Sequence, residues 1–323
     1  MRTDFYYPSC GAGVIHGCRW MPDGEIRAIV QIVHGIGEYV ERYDDFANAL
    51  TQQGILVVAE DHMGHGKSIG GDGIRGYFAG GWFAAVDDTY HLLAETMKEY
   101  PGVPYFLFGH SMGSFLARTL LCKYPDCGIT AAILSGTCWQ GKGVVRLGKW
   151  LSGTVCKFTD ERRPNVLLQS LCFGTYNARI PKPKAKYAWL TRDERIVAAY
   201  TADPLCGYTT ASAALLRDMM TGIIYNQDPE NLRKMKKDLP VMFIAGEEDP
   251  VGSYGKAVVH TANAFKKAGM EAVSVKLYRD CRHELHNELN RQEVYTDIIN
   301  WFAKYPLSEK LNASEPKQTD HTS

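Results

Sequence analysis

The pentapeptide Gly-His-Ser-Met-Gly at residues 109–113 is the feature that most restricts how this chain of 323 residues folds. The segment before it, 104–108, is apolar and rich in aromatic residues, which predicts a buried strand. The segment after it, 115–121, has no proline or glycine, which favours a helix. A sharp strand-to-helix turn lifts a serine hydroxyl out of the sheet and needs small residues on either side. The pattern therefore predicts Ser111 as a nucleophile, because an ordinary loop serine would not require two flanking glycines.

A nucleophilic serine also needs donors for the negative charge that develops on the carbonyl oxygen. A predicted strand at 26–33 leads into the glycine-rich loop 34–38, whose backbone can donate one N–H group. The residue directly after the nucleophile, Met112, can donate the second.

The base and the acid that orients it are expected at the ends of two later strands. A predicted strand at 241–246 is followed by Asp249, and one at 273–278 is followed by His283 and then by a predicted helix at 285–303. The chain order of serine, acid and histidine is the one found in α/β-hydrolases.

Each of these two assignments has a neighbouring alternative. Glu247 and Glu248 compete with Asp249, but the Asp-Pro pair ends the loop rigidly and a short acid suits a buried orienting role. His286 competes with His283, but its position one turn into the next helix predicts that it covers the helix surface.

Three further histidines have structural interpretations. His34 lies in the glycine-rich loop and is expected to support the turn by hydrogen bonding. Asp61, His62 and His65 resemble part of a metal site, but the intervening glycines indicate a tight loop, and no further ligands complete a site. We therefore expect neither a metal nor a cofactor.

Several longer segments resemble the monoacylglycerol lipase and lysophospholipase branch of the α/β-hydrolases, a group often labelled serine aminopeptidase-like. The similar segments occur in the same order over about 30–137 and 240–305, which is most of the core. They read HGIGEYVERYDDFANAL, GILVVAEDHMGHGKS, FLFGHSMGSFLAR, AGEEDPVG and RHELHNELNRQEVYTDIINWF.

The resemblance implies Ser111 as nucleophile, Asp249 as acid, His283 as base, and the amides of Ile36 and Met112 as the oxyanion hole. It also implies an α/β-hydrolase fold, with a mostly parallel eight-stranded sheet flanked by helices and a helical cap inserted after the sixth strand.

The chain departs from the family pattern at two places near these motifs. It has Tyr39 where the family often has histidine, and Met63 where the family often has arginine. Tyr39 lies close to the predicted oxyanion loop, which makes it a candidate substrate contact.

The alternation of strands and helices is interrupted after Ser135, and the next strand begins only at Val241. Apolar residues at steps of three and four predict a helix in this stretch, and a second apolar cluster follows at 166–173. The expected organisation is a core in two parts (1–137 and 226–305), a helical cap (138–225) and a disordered polar tail (306–323).

The predicted cap combines apolar surface with positive charge. Trp139, Trp150 and Trp189 are candidate contacts for an acyl chain. The segment 138–225 has thirteen lysines and arginines against six acids, a net charge of plus seven in a chain whose formal net charge is zero. Such a cap suits an anionic lipid surface, although a solvated helical face explains the charge equally well.

Composition limits the cellular setting and the partners. The balance of 36 basic and 36 acidic residues gives no overall field that would attract nucleic acid. The N-terminal sequence has no apolar signal segment, and no run of about 18 apolar residues predicts a membrane span. Nine cysteines without paired spacing indicate reduced thiols, so we expect a cytoplasmic protein.

The sequence favours a serine hydrolase that cleaves carboxylic esters of single-chain lipids. An aminopeptidase or amidase would use the same triad but should place acids in the cap to bind a substrate amine, where this chain has a basic excess. A carboxylesterase for small esters is the third alternative.

Overall fold

The computed structural model describes residues 1–70, 73–207 and 211–305, and the predicted tail at 306–323 lies outside them. The predicted mostly parallel sheet of eight strands is confirmed, with the order β1-β2-β4-β3-β5-β6-β7-β8. The strands are β1 (Arg2–Pro8), β2 (Val14–Trp20), β3 (Ala28–Val33), β4 (Ile55–Glu60), β5 (Tyr105–His110), β6 (Ala131–Ser135), β7 (Val241–Gly246) and β8 (Val273–Tyr278).

Strands β3 to β8 pair in parallel, whereas β1 and β2 add an antiparallel hairpin at one edge. Strands β3 to β7 are buried along their whole length, as expected for parallel strands covered by helices on both faces. The carboxyl ends of parallel strands meet at one edge of the sheet. The loops after β3, β5, β7 and β8 therefore bring the predicted site residues together.

Helices cover both faces of the sheet. Residues of α1 and α10 belong to one apolar core, and residues of α2, α3, α7 and α9 belong to the other. The helices are α1 (Asp44–Thr51), α2 (Gly81–Glu99), α3 (Met112–Lys123), α4 (Lys142–Phe158), α5 (Val166–Phe173), α6 (Glu194–Ala202), α7 (Ala213–Asn226), α8 (Pro229–Lys234), α9 (Lys256–Lys267) and α10 (Arg291–Phe302).

Helices α4 to α8 lie between the sixth and seventh strands, where the sequence predicts an insertion. The two apolar clusters of that insertion form α4 and α5. Helix α7 contacts α4 and also packs on α2 and α3 of the core. The end of the cap at residue 225 therefore stays a prediction, because α7 belongs to both layers by its contacts.

The helix predicted over 285–303 is wrong in its first part. Leu285–Asn287 form a short 3-10 helix, and α10 begins only at Arg291. Glu288 between them is extended, with a ψ of 164°. Its carboxylate accepts hydrogen bonds from Arg192 and from the backbone N–H of Arg282. These contacts hold the loop after β8 in a shape that a continuous helix could not adopt.

The turn at Ser111 depends on close contact between main chains. Ser111 has φ 52° and ψ −121°, an unfavourable conformation for a residue with a side chain. A Cβ atom at Gly113 would lie 2.0 Å from the carbonyl oxygen of Val33, and one at Gly109 would lie 2.8 Å from that of Gly113. The two glycines therefore let α3 begin directly against the ends of β3 and β5.

We expect Gly113→Ala to lower the free energy of unfolding by about 3 kcal/mol, because main-chain atoms cannot move aside as flexible side chains do. Gly143→Ala is the matched control, since a Cβ at this exposed position of α4 meets nothing within 4 Å. Its effect should stay within about 1 kcal/mol. Urea unfolding curves of the two variants measure the difference, and equal stabilities would contradict the close contact at Gly113.

Candidate active site

Ser111 is half-buried at the end of β5, and main-chain contacts fix its turn on both sides. Its backbone N–H donates to the carbonyl oxygen of Ser135 at 2.9 Å. Its own carbonyl oxygen accepts from the backbone N–H and the hydroxyl of Ser114, at 2.9 and 2.6 Å. The hydroxyl of Ser111 lies where two cavities of the protein meet.

Asp249 and His283 follow β7 and β8 and are both buried. Nδ1 of His283 lies 2.9 Å from Oδ2 of Asp249, whose other oxygen accepts from the backbone N–H of Val251 at 2.8 Å. Glu247 and Glu248 are exposed. Of the three adjacent acids, Asp249 is therefore the one placed to orient the imidazole.

The second nitrogen of His283 is free to act on the serine. Within the described part of the chain, the buried Nε2 has no hydrogen-bond partner. His283 and Ser111 line the same cavity of about 20 Å³. Burial by itself lowers the pKa of His283, but the charge of Asp249 and the hydrogen bond to it outweigh burial and raise this pKa above its ordinary value.

The loop after β3 lies against Ser111, as the predicted oxyanion hole requires. A Cβ atom at Gly35 would be 3.0 Å from Cβ of Ser111, and Ile36 lines both cavities beside the serine. Met112 is the first residue of α3, where backbone N–H groups have no acceptor within the helix. Both predicted donors therefore stay candidates, one on each side of Ser111.

A buried ion cluster that sequence reasoning missed joins the oxyanion loop to the histidine loop. Arg42 donates to both carboxylate oxygens of Glu284 at 2.8 and 2.7 Å, and to Glu38 at 2.8 Å. The other oxygen of Glu38 accepts from the backbone N–H of Gly35 at 2.6 Å. Because Glu284 directly follows His283, Arg42 fixes the distance between the two loops. Sequence patterns do not indicate the contact between Arg42 and Glu284, because the two residues are far apart in the chain, although each acid is adjacent to a predicted site residue.

Charge pairing decides which form these buried acids take. Burial opposes ionisation of Glu284, but the charge and hydrogen bonds of Arg42 lower its pKa to about 2. Burial raises the pKa of Glu38, an effect that Arg42 opposes. Glu284 is therefore ionised and pairs with the buried guanidinium of Arg42.

Residues of the cap also contact Arg42 and the histidine loop. The ring of Tyr200 on α6 lies 4.6 Å from the guanidinium of Arg42. The backbone N–H of Glu284 donates to the carbonyl oxygen of Leu190 at 2.7 Å, and the ring of Trp189 lies 5.1 Å from that of His283. The position of the His283 imidazole therefore depends on the cap as well as on the sheet.

The prediction that His286 covers a helix surface is wrong. The residue is buried in the 3-10 helix, stacks on Tyr43 at 4.4 Å and lies 4.9 Å from His110. Burial lowers the pKa of His286 to about 3, so the imidazole is neutral at ordinary pH. His286 turns inwards because it packs against aromatic rings behind the site, in loops that are distant in sequence.

The glycine-loop histidine supports the turn, as predicted. Nε2 of His34 accepts from the backbone N–H of His62 at 3.0 Å, and its Nδ1 lies 2.7 Å from the carbonyl oxygen of Gly35. The carboxylate of Asp61 accepts from the backbone N–H groups of Val40 and Lys67, each at 2.8 Å. Asp61 and His62 thus serve the loop that they were expected to form.

A cavity of about 320 Å³ extends from Ser111 under the cap, and the described residues around it include no charged side chain. Trp189 belongs to its wall. Most of the wall is apolar or small and comes mainly from the cap and from α3 and α7, including Phe115, Val144, Leu147, Gly148, Leu151, Leu168, Leu171, Met219 and Met220.

The structure does not bring the other three predicted substrate contacts to this cavity. Trp150 points away on α4 and is 64% exposed. Trp139 lies between Arg118 and His260 and lines a separate groove. The hydroxyl of Tyr39 donates to Asp203 at 2.7 Å and so ties the core to the cap. Hydrophobicity alone could not tell which way these side chains face.

The chain is similar to a well-defined group of known proteins. The sequence profile described as serine aminopeptidase, S33, matches residues 24–290. A monoglyceride lipase homolog of monkeypox virus is 28% identical over 288 residues, which are 87% of this chain and 91% of the viral protein. The monoglyceride lipase of Homo sapiens is 26% identical over 290 residues, 89% and 86% of the two chains.

The chain is also similar in sequence and fold to a solved structure. The carboxyl esterase from Bacillus coagulans, crystallised in complex with glycerol, is 29% identical and superposes with a TM-score of 0.87. The match covers 94% of this chain and 98% of the esterase. The likeness thus extends over most of the length of both chains.

Replacing Ser111 or His283 by alanine should reduce kcat by roughly four to six orders of magnitude, since members of a serine triad act as a unit. Asp249→Asn should cost about 10⁴-fold by favouring the wrong tautomer. Hydrolysis of a soluble ester measures these effects, with Glu248→Gln as the control that should stay active. Substantial activity in Ser111→Ala would overturn the assignment of the nucleophile. If Glu248→Gln is inactive and Asp249→Asn is active, only the assignment of the acid is wrong.

The rate should depend on pH through His283, which acts as a base only when unprotonated. Because its pKa is raised, kcat/KM should fall as the pH drops through a value above about 6.5 and level off on the alkaline side. Glu284 also raises this pKa, so Glu284→Gln should move the inflection to lower pH. The exposed Glu293→Gln is the control. An inflection that moves equally in both variants, or upwards in Glu284→Gln, would contradict this electrostatic account.

Proposed function

This chain belongs to the serine aminopeptidase (S33) family, and from that premise we propose that it cleaves carboxylic esters of single-chain lipids of the monoacylglycerol or lysophospholipid type. Ser111 attacks the ester carbonyl while His283 accepts its proton, and Asp249 holds the imidazole in the required tautomer. The N–H groups of Ile36 and Met112 stabilise the oxyanion. The alcohol leaves with the proton from His283, and water activated by His283 then releases the fatty acid from the acyl-enzyme.

The observation that carries the proposal is the uncharged cavity that begins at the nucleophile. A pocket with apolar walls and one reactive polar end matches a molecule with a long apolar chain and one ester. Its volume of about 320 Å³ exceeds what a short acyl group would fill. A small-ester carboxylesterase would have no use for most of this space.

The aminopeptidase alternative requires an anionic group beside the scissile bond to bind the substrate ammonium. The described walls of the cavity offer no aspartate or glutamate. Glu38 and Glu284 do lie near the nucleophile, but both are buried and bound to Arg42, whose single positive charge balances that of Glu284, while burial raises the pKa of Glu38. The site therefore favours esters with apolar acyl chains over substrates with a free amine.

Catalytic efficiency should rise with acyl length over the medium range, by up to about fourfold per methylene if each contributes about 0.8 kcal/mol. Gly148→Phe should abolish this gain and spare short esters, because Gly148 lines the cavity and the atoms nearest to a Cβ there belong to the flexible side chain of Met220. Gly143→Phe on the same helix, with open space around it, is the matched control. A series of p-nitrophenyl esters measures kcat/KM.

Equal efficiency on short and medium chains would contradict the lipid proposal and favour the small-ester reading. Faster cleavage of an aminoacyl anilide than of any fatty-acyl ester would instead favour the aminopeptidase.

We also propose that the cap meets its substrate at an anionic lipid surface. Val144, Leu147 and Leu171 line the cavity and are more than half exposed, so the cavity opens onto an apolar surface. Trp150, Phe158, Val166 and Leu167 extend this surface along α4 and α5. Large exposed apolar patches are typical of interaction sites.

The positive charges of α4 adjoin this surface. Lys142, Arg146, Lys149 and Lys157 form no ion pair within the part of the chain that the structure describes. Arg162 and Arg163, by contrast, pair with Asp160. Cations close to an anionic membrane contribute about 1 kcal/mol each before screening by salt. None of the described helices is both long and apolar enough to cross a membrane.

A cytoplasmic location agrees with the state of the sulfur atoms. All nine cysteines are free, and most are buried. Burial raises the pKa of several of these thiols, for example that of Cys122 to about 12, which keeps them protonated and unreactive. We propose that the protein works in a reducing compartment on this basis.

Lys142→Glu with Arg146→Glu should weaken binding to vesicles rich in anionic lipid by about tenfold or more at low salt. Activity on monoacylglycerol in those vesicles should fall in parallel, while hydrolysis of a soluble short ester stays unchanged. Lys98→Glu with Lys304→Glu alters the net charge equally at the ends of α2 and α10 and is the control. Vesicle sedimentation and titration of released acid measure both effects. An equal loss in the two double variants would contradict a role for the α4 surface.

A further inference from the structure

The antiparallel hairpin at the sheet edge carries a group of side chains that the proposed reaction does not use. Asp4 lies opposite Cys18, and Tyr6 lies opposite His16, in the register of β1 and β2. Residues two apart on a strand share one face. Asp4, His16 and Cys18 therefore project together, and one ligand atom from each lies within 4.8 Å of the others.

The spacing of these atoms matches a tetrahedral metal site. Nε2 of His16 lies 3.2 Å from Oδ2 of Asp4 and 3.9 Å from Sγ of Cys18, and that sulfur lies 3.5 Å from Oδ1 of Asp4. Zinc bond lengths and tetrahedral angles require about 3.3 Å between nitrogen and oxygen ligands, and about 3.6 Å when one ligand is sulfur. The two short distances to Asp4 involve different carboxylate oxygens, and with one oxygen taken from Asp4 the three ligand atoms lie within 4.8 Å of one another. Metal binding therefore requires a rotation of the Asp4 carboxylate as well as small shifts of the other ligand atoms.

The surroundings of His16 also fit. Its Nδ1 lies 2.7 Å from Oδ2 of Asp61, and both residues are buried. A carboxylate on the far nitrogen of a ligating histidine fixes the tautomer and turns Nε2 towards the metal. The backbone N–H groups of Val40 and Lys67 hold the Asp61 carboxylate in place. Asp4 is about one-third exposed, so a fourth ligand can come from water.

We propose that Asp4, His16 and Cys18 form a binding site for a divalent metal of the zinc type. A thiolate, an imidazole and a carboxylate together select such a metal over Mg²⁺ or Ca²⁺, which prefer oxygen ligands. The metal replaces the proton of the Cys18 thiol and any proton on Nε2 of His16, and both protons pass to solvent. The ammonium of Lys67 lies 3.0 Å from Asp4 and 2.8 Å from Glu41. When the metal binds Asp4, Lys67 loses its contact with Asp4 and stays paired with Glu41.

This site is separate from the ester chemistry. Its three residues line neither cavity beside Ser111. The metal would tie the edge hairpin to the loop after β4 through His16 and Asp61. Its role is therefore to stabilise the fold rather than to act in hydrolysis. Because the thiol and the imidazole must lose their protons to bind a metal, affinity should increase with pH.

Titration of the whole protein with Co²⁺ tests the site through the thiolate-to-cobalt absorption in the near ultraviolet. We expect one ion per chain, loss of the band in Cys18→Ser, and Zn²⁺ affinity at least about tenfold weaker in Cys18→Ser and Asp4→Asn. Cys10→Ser, which removes an exposed thiol of the same hairpin, should keep the band. Zn²⁺ should raise the unfolding temperature of the wild type and of Ser111→Ala, but not of Asp4→Asn.

Two results would overturn the proposal. One is the absence of a stoichiometric thiolate band in the wild type. The other is a band or a Zn²⁺ affinity that survives both Cys18→Ser and Asp4→Asn, which would place the metal elsewhere. Asp4→Asn keeps the test decisive if Cys18→Ser fails to fold, because its position is partly exposed. Removal of metal by EDTA should leave the hydrolysis of a soluble ester unchanged.

Discussion

The geometry of the active site depends on the buried guanidinium of Arg42. It lies between the carboxylates of Glu38 and Glu284, and through them it fixes the glycine loop after β3 relative to the histidine loop after β8. Taking such charges out of water is costly, and removal of one partner from a buried pair typically costs 3–5 kcal/mol. The cluster is therefore better understood as a device that holds two catalytic loops in register than as a source of stability. Oxyanion donors act without reorganisation only when their position is fixed in advance.

The cap contributes to the same constraint and also creates the substrate space. Trp189 and Leu190 contact the histidine loop, while Tyr200 covers Arg42. The same insertion provides the exposed apolar side chains at the opening of the cavity. One segment therefore contacts the histidine loop and also lines the cavity, so a change in the cap is expected to affect both acyl selectivity and turnover. The cap therefore does more than cover the site, because its residues also help to position the histidine loop.

Local sequence patterns predicted the fold well, because it depends on short-range chemistry. They also led to Ser111, Asp249 and His283, which the structure brings to one edge of the sheet and whose roles stay predictions. The strands at 241–246 and 273–278 have the predicted bounds, and the glycines around Ser111 have the close contacts that the turn requires. The Arg42 cluster was missed because Arg42 and Glu284 are 242 residues apart in the chain. Trp139 and Trp150 were assigned to the cavity from their size, yet the direction of a side chain depends on tertiary packing. The break before α10 depends on Arg192 in the cap, a contact that no local pattern contains.

The central claim is that Ser111 is the nucleophile and that it faces an apolar acyl cavity. Covalent labelling by alkyl fluorophosphonates of increasing chain length, followed by peptide mapping, tests both parts at once. The account predicts a single adduct on Ser111 that forms faster as the alkyl chain lengthens, with the gain lost in Gly148→Phe and kept in Gly143→Phe. An adduct on another residue, or a rate on Ser111 that does not respond to chain length, would contradict it.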